Sequence, residues 1–168
     1  LAVGGKSLNE HLEARNHAAA FDWMNTQLER APETLRESDI LHLHSLILSG
    51  IDDMNAGRYR NVAVRISGSS VVLPNSLKVP ILMTQFIAWL QMNAQLHPVA
   101  LAAEAHYRLV TIHPFVDGNG RTARLLMNMI LMMRGYPAAI ISPRDRLAYI
   151  AALEKAQREG DLGEAARL

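Results

Sequence analysis

The residues from His113 to Arg124 read His-Pro-Phe-Val-Asp-Gly-Asn-Gly-Arg-Thr-Ala-Arg, and they put a titratable imidazole, a carboxylate, an amide, two glycines and two arginines into twelve positions. Each of those types suits the handling of phosphate. His113, with an ordinary pKa of about 6.5, can take a proton from a hydroxyl at neutral pH. Asp117 offers a hard oxygen of the kind that Mg²⁺ shares with substrate phosphates. Gly118 and Gly120 let backbone N–H groups approach an anion closely, and Asn119 can donate its side-chain amide to a phosphate oxygen. Arg121 and Arg124 are three apart, hence on one helix face, and can clamp terminal phosphates through paired N–H donors. Phosphoryl or nucleotidyl transfer asks mainly for such positioning and charge neutralisation.

Two rival readings of the same letters fail on context. Gly118-Asn-Gly-Arg-Thr-Ala123 satisfies a dinucleotide fingerprint, but that fingerprint needs a strand before it within a βαβ unit, and the preceding segment here is helical. A zinc site would need more than His113 and Asp117, and no third ligand follows at a recognisable spacing. The loop also lacks a serine nucleophile.

The flanking elements explain how such a loop is held. Leu101, Ala105, Leu109 and Ile112 before it, and Ala123, Leu126, Met127, Ile130 and Leu131 after it, recur at helical spacing. The cluster is therefore a tight turn between two helices, with its glycines at the start of the second, where unpaired N–H groups and the helix dipole favour anions. Pro98 opens the helix that leads in, and Gly135 closes the one that leads out. Earlier, Ser7 and Glu10 form a capping box for a helix of roughly two dozen residues with Leu8, Leu12, Ala19 and Trp23 on one face, ended by Pro32. Ser38 caps a second helix carrying Ile40, Leu41, Ile47 and Leu48 as far as Gly50. His42 and His44 lie two apart on it and do not face each other, which argues against a metal pair. Pro80 opens a third helix with Leu82, Phe86 and Trp89 or Leu90 buried. His106, two turns before His113, reads as a hydrogen-bonded histidine between helices. Ser142-Pro143, with Asp145, starts a last helix running to about Gln157, on which Tyr149, Leu153 and Gln157 share a face.

One stretch breaks the helical pattern. From Asn61 to Pro74, Val62, Val64 and Ile66 alternate with other residues, Ser67-Gly68-Ser69-Ser70 can turn, and Val71-Val72-Leu73 returns, which predicts a β-hairpin. Its edges would offer backbone groups to an extended partner segment, and a purely structural hairpin is an equal reading. The fold class expected is mainly α: a single helical bundle domain, 1–168, with one β-hairpin.

Composition narrows the classes further. A length of 168 residues, 49% hydrophobic, suffices for one domain with a substantial core. Seventeen basic against sixteen acidic residues leave a net charge of +1, so neither a nucleic acid nor an anionic membrane is expected as a partner. There is no cysteine, which excludes disulfide and thiolate chemistry and leaves the compartment open, cytoplasmic for a bacterial source. The apolar run Leu125–Met133 is too short to span a bilayer. The chain starts at Leu1 without a signal pattern and reads as a fragment of a longer protein.

The cluster resembles the signature of the Fic family, HxFx(D/E)GNGRxxR, with every specified position present in His113, Phe115, Asp117, Gly118, Asn119, Gly120, Arg121 and Arg124. Gly57-Arg58-Tyr59-Arg60 is similar to the Gly-x-(Tyr/Phe)-Arg element that precedes the flap in such domains. Similarity to Fic domains of the animal endoplasmic-reticulum kind and bacterial relatives runs from Gly5-Lys6-Ser7-Leu8 to Glu159-Gly160-Asp161. The resemblance implies a protein adenylyltransferase using ATP and Mg²⁺: His113 as general base for a Ser, Thr or Tyr hydroxyl of a target protein, Asp117 at the metal, and Gly118, Asn119, Gly120, Arg121 and Arg124 on the phosphates. It also implies adenine against Tyr149 and Gln157, although relatives often carry Asn at the latter position, and a target-docking flap of Ile66, Ser67, Gly68, Ser69, Ser70 and Val71. The inhibitory (S/T)xxxE(G/N) motif of many members is not found, and alignment places it before Leu1. Inhibition would then come from preceding residues or from a separate, antitoxin-like chain, and Arg124 is expected to be open to nucleotide. Alternatives left standing are removal of AMP, transfer of UMP, phosphocholine or phosphate, and a helical interaction module without activity.

Overall fold

The structure is a computed structural model that describes residues 2–3, 6–67, 69, 71–141, 144, 148–149, 151–152 and 154–155. Two short antiparallel strands, β1 (Ala2–Val3) and β2 (Lys6–Ser7), pair Ala2 with Ser7 and Val3 with Lys6. Five helices follow: α1 (Leu8–Asn25), α2 (Glu37–Leu48), α3 (Val79–Met92), α4 (Pro98–Ile112) and α5 (Asn119–Met133). Tyr149 and its described neighbours 148, 151–152 and 154–155 are helical as well. Ser142, Pro143, Asp145 and Gln157 lie outside the described residues. Among the described residues no helix is long and apolar enough to cross a membrane.

The helix boundaries follow the local chemistry. Ser7 Oγ accepts from the Glu10 amide at 3.3 Å while Glu10 accepts from the Ser7 amide at 2.6 Å, closing the expected capping box. Helix α2 begins two residues earlier than Ser38 predicts: Arg36 is the cap, and the Asp39 carboxylate accepts its amide at 2.8 Å. A carboxylate three residues in, at the positive end of the helix, satisfies that donor better than a hydroxyl already inside the first turn. Gly50 (φ 70°) and Gly135 (φ 76°) take the left-handed positions that end α2 and α5.

One hydrophobic cluster draws on all five helices, with Met24, Ile40, Leu43, Met83, Leu90, Leu101, Leu109, Leu126 and Met129 all fully buried. Helix α1 enters it through a different face from the one its leucines suggest. Asn16, Ala20 and Met24 are buried, whereas Leu8 is 63% exposed. The reason is polar. The Asn16 amide donates to the carbonyls of Ile47 at 3.2 Å and Ser49 at 2.7 Å, capping the C-terminal end of α2 from across the helix pair.

Between α2 and α3 the hairpin expected over 61–74 is not seen: no strand is assigned to its described residues, among which Ser69 N–H donates to Ile66 O at 3.2 Å. Ile66, Ser67, Ser69 and Val71 are described, whereas Gly68 and Ser70 lie outside the described residues.

Replacing Asn16 with Ala leaves the buried Ile47 carbonyl and the part-buried Ser49 carbonyl at the end of α2 without their donor, and is expected to cost about 1–3 kcal/mol. Urea unfolding of the variant beside the native chain measures this, and an unchanged midpoint would refute the capping role.

Candidate active site

The loop between α4 and α5 is bracketed by two left-handed residues. His113 (φ 52°) ends α4 and Gly118 (φ 76°) caps α5. A side chain at Gly118 would meet Ile47 Cδ1 at 3.1 Å and the His44 ring at 3.4 Å, so conformation and space both require glycine there. Between the two turns Phe115 is fully buried, which also buries its backbone polar groups. Asn119 satisfies both: its Oδ1 accepts from Phe115 N–H at 2.9 Å and its Nδ2 donates to Phe115 O at 2.9 Å. The loop uses Oδ1 and one N–H of Nδ2, which leaves the second N–H of the amide as the donor available to a phosphate oxygen.

His44 holds the loop from beneath. Its ring stacks on Phe115 with centroids 3.6 Å apart and planes 5° from parallel. Nδ1 accepts from Gly57 N–H at 2.9 Å, so the proton of the neutral ring sits on Nε2, which donates to Asp117 O at 3.0 Å. Burial lowers its pKa, in keeping with a ring that must accept at one nitrogen.

His113 is oriented by its own helix. Its Nδ1 lies 3.3 Å from Val110 O, and a carbonyl can only accept, so Nδ1 carries the proton and the lone pair is on Nε2. Burial lowers its pKa below the ordinary 6.5 and outweighs the opposing pull of the Val110 carbonyl. The ring is thus a neutral base with its free nitrogen defined.

Around it lies the anion-binding apparatus. Arg121 donates to Asp117 at 2.9 Å and to Glu13 of α1 at 2.9 Å. Both pairs are exposed enough to exchange for phosphate at little cost, because ion pairs at a wet surface contribute only about 0–1 kcal/mol. The Asp117 side chain is 67% exposed, and among the described residues no three His, Asp or Glu side chains gather into a metal cage. One open carboxylate beside a phosphate site fits Mg²⁺, which keeps its waters and takes oxygens from the substrate.

Arg124 faces a cavity of about 570 Å³ shared with His17 and Phe21 of α1, Asn128, the segment 138–141, and Tyr149. That volume is of the order a nucleotide occupies. Asn128 fixes the far wall through a reciprocal pair with Ala139, at 3.2 Å to its carbonyl and 2.8 Å from its amide. Tyr149 OH meets the buried His106 ring, as the inter-helix reading of that histidine anticipates. Sequence reasoning passed over Glu13, His17, Phe21 and the looping role of His44. The 13, 17, 21 spacing on α1 marks one helix face, but nothing local says that α5 lies opposite it.

Comparison with known proteins adds relatives to this geometry. Residues 34–131 match the Fic/DOC family. A Drosophila virilis protein named protein adenylyltransferase Fic is 45% identical over 165 residues, covering 96% of this chain and 33% of that protein. The solved structure of Caenorhabditis elegans Fic-1 (residues 134–508) superposes with a TM-score of 0.88 at 35% identity, covering 99% of this chain and 49% of that one. A Fic domain containing signaling protein from Bacteroides thetaiotaomicron superposes at 0.82 and 31% identity, over 99% of this chain and 64% of the other. The chain spans about a third of the length of the curated relative it matches.

Buried His106 gives the fold a pH dependence of definite sign. Burial, with Arg124 adding to it, lowers its pKa to about 4, whereas the unfolded chain protonates near the ordinary 6.5. Stability is therefore full above pH 6.5, drains as the pH falls and levels off below 4, by up to roughly 3 kcal/mol. Unfolding free energies measured from pH 7 to 4 should show this slope, and His106→Gln should flatten it. An equal slope in the variant would assign the loss to other groups.

Proposed function

The chain belongs to the Fic/DOC family, and on that premise we propose that it transfers AMP from ATP to a hydroxyl side chain of a target protein. The observation that carries this reading is the pairing of one neutral base of defined tautomer, His113, with the glycine-capped start of α5 and its two arginines. The name protein adenylyltransferase Fic, borne by relatives above 40% identity, supports the same reaction.

The residues divide the work as follows. Arg121 exchanges its carboxylate partners for phosphate oxygens, and Arg124 holds the chain of phosphates from the cavity side. The first amides of α5 point toward the same anion. The nucleoside lies in the cavity, with Tyr149 on one wall, and Gln157 would extend that face. His113 Nε2 takes the proton from a Ser, Thr or Tyr hydroxyl as its oxygen attacks the α-phosphorus. The bond from that phosphorus to the bridging oxygen breaks, and pyrophosphate leaves with the electron pair. Mg²⁺, held by Asp117 and the phosphates, would neutralise the charge that develops on the leaving group. The described flap residues Ile66, Ser67, Ser69 and Val71 present the target.

Labelling of host-lysate proteins from α-³²P-ATP and Mg²⁺, with γ-³²P-ATP as control, tests the reaction. Label is expected from the α position alone and is lost on His113→Ala by a factor on the order of 10²–10⁴. Label from the γ position instead would make the reaction a phosphorylation.

The same assay run against pH tests the base. Because burial lowers the His113 pKa, the base stays unprotonated below the ordinary 6.5, so the acid limb of kcat/KM should turn over beneath that value. A turnover well above 6.5 would remove His113 from the role.

A further inference from the structure

Arg60 is 3% exposed, and the contacts of its guanidinium are backbone carbonyls. Nε donates to His113 O at 2.7 Å, one terminal nitrogen to Val62 O at 3.1 Å and the other to Pro74 O at 2.7 Å. Its own amide donates to Pro114 O at 2.9 Å. A buried guanidinium is costly unless its donors are filled, and here both sides of the fork are filled.

The three side-chain acceptors are not random. Val62 and Pro74 stand at the two ends of the 61–74 stretch, and His113 is the residue whose imidazole is the proposed base. His113 is also, among the described residues, the one non-glycine with positive φ, a strained conformation that needs its surroundings to hold it. Because the guanidinium is planar and rigid, its N–H vectors fix three carbonyls relative to one another. Both ends of the stretch and the backbone of His113 are therefore measured from a single group.

We propose that Arg60 is a positioning residue that fixes the distance between the 61–74 flap and His113, and so the register in which a target hydroxyl meets the base. This rests on the reading of 61–74 as the surface that presents the target. Arg60 touches neither nucleotide nor target. It acts through carbonyls, in the way a strut sets the gap between two plates. A lysine reaches one of the three acceptors at a time, because its ammonium lacks the fork. A methionine fills similar space and donates nothing.

The test uses the full chain with Arg60→Lys and Arg60→Met, beside native protein and His113→Ala. Amide hydrogen exchange is read first, because it needs no activity. In the Met variant, exchange in 61–74 and in 113–118 should quicken together by tenfold or more, while α3 and the later turns of α5 keep native protection. The Lys variant should fall between. ATP affinity with Mg²⁺, measured by equilibrium dialysis, should stay within twofold of native.

Transfer is read second, as α-³²P labelling of lysate proteins at saturating ATP, which should fall at least tenfold in the Met variant. The acid limb should also move up in pH in that variant. Burial holds the imidazole low, with the Arg60 charge adding to that and Asp117 opposing it, so loss of the cation raises the base's pKa. The shifted limb follows from the lost charge alone, whereas a merely structural Arg60 would loosen the helices alike and lower ATP affinity along with transfer.

Three results would overturn the inference: exchange that quickens in one of the two stretches only or in neither, loosening of all helices alike, or ATP affinity that drops in step with transfer. If the native chain itself transfers no label, the adenylyl-transfer reading fails, and the exchange pattern alone still decides whether Arg60 couples flap and loop.

Discussion

The site depends on burying Phe115 in the middle of a polar loop. A fully buried aromatic between two helices anchors the turn by its apolar surface, at roughly 25 cal/mol for each Å² removed from water, but it takes its own backbone amide and carbonyl with it. Asn119 is the answer to that cost, and it has to sit four residues on, where the start of α5 returns the chain to Phe115. His44 completes the arrangement by stacking on the ring and tying the Asp117 carbonyl to the loop at Gly57. With these bonds made, His113 and Gly118 are confined to the left-handed turns on either side, and the positions of base, carboxylate and arginines follow.

This changes how the motif is understood. Of its polar letters, Asn119 serves the loop, whereas Asp117, Arg121 and Arg124 are left for the proposed anion. Asn119 and Gly118 build the turn, the first by hydrogen bonds and the second by lacking a side chain where Ile47 and His44 close in. Asp117, Arg121 and Arg124 keep their charged ends at the surface or in the cavity. The division could not be read from residue types, because an amide suits a phosphate oxygen and a buried carbonyl equally well.

What was legible in the sequence was local. The capping box at Ser7 and Glu10, the prolines at the starts of α3 and α4, and the glycines after α2 and α5 act within a few residues of themselves, and each stands where its chemistry predicts. The face of α1 was not legible, since alanines surround it and its inward register is set by Asn16 reaching the end of α2, 31 and 33 residues away. Arg60 belongs to the same class. Its letters mark a loop, while its function is defined by carbonyls up to 53 positions distant. The alternation at 62–66 was read as a strand by its period, but period alone supplies no partner strand.

The electrostatics of the cavity follow from the same packing. His17 and His106 are both held below the ordinary imidazole pKa, by burial first and by the Arg124 charge second, and so both stay neutral at pH 7. Positive charge at this wall is thereby concentrated on one guanidinium and not spread over two rings and a fork. Arg121, by contrast, is already matched to two carboxylates, so in the proposed reaction the two arginines would meet a phosphate chain differently: Arg121 by exchanging partners, Arg124 by direct attraction. A site built this way holds its charge steady across neutral pH, and among the histidines around it the one that the proposed transfer would require to change protonation is His113. The lowered proton affinity of His17 and His106 makes each a poorer proton acceptor than an ordinary imidazole.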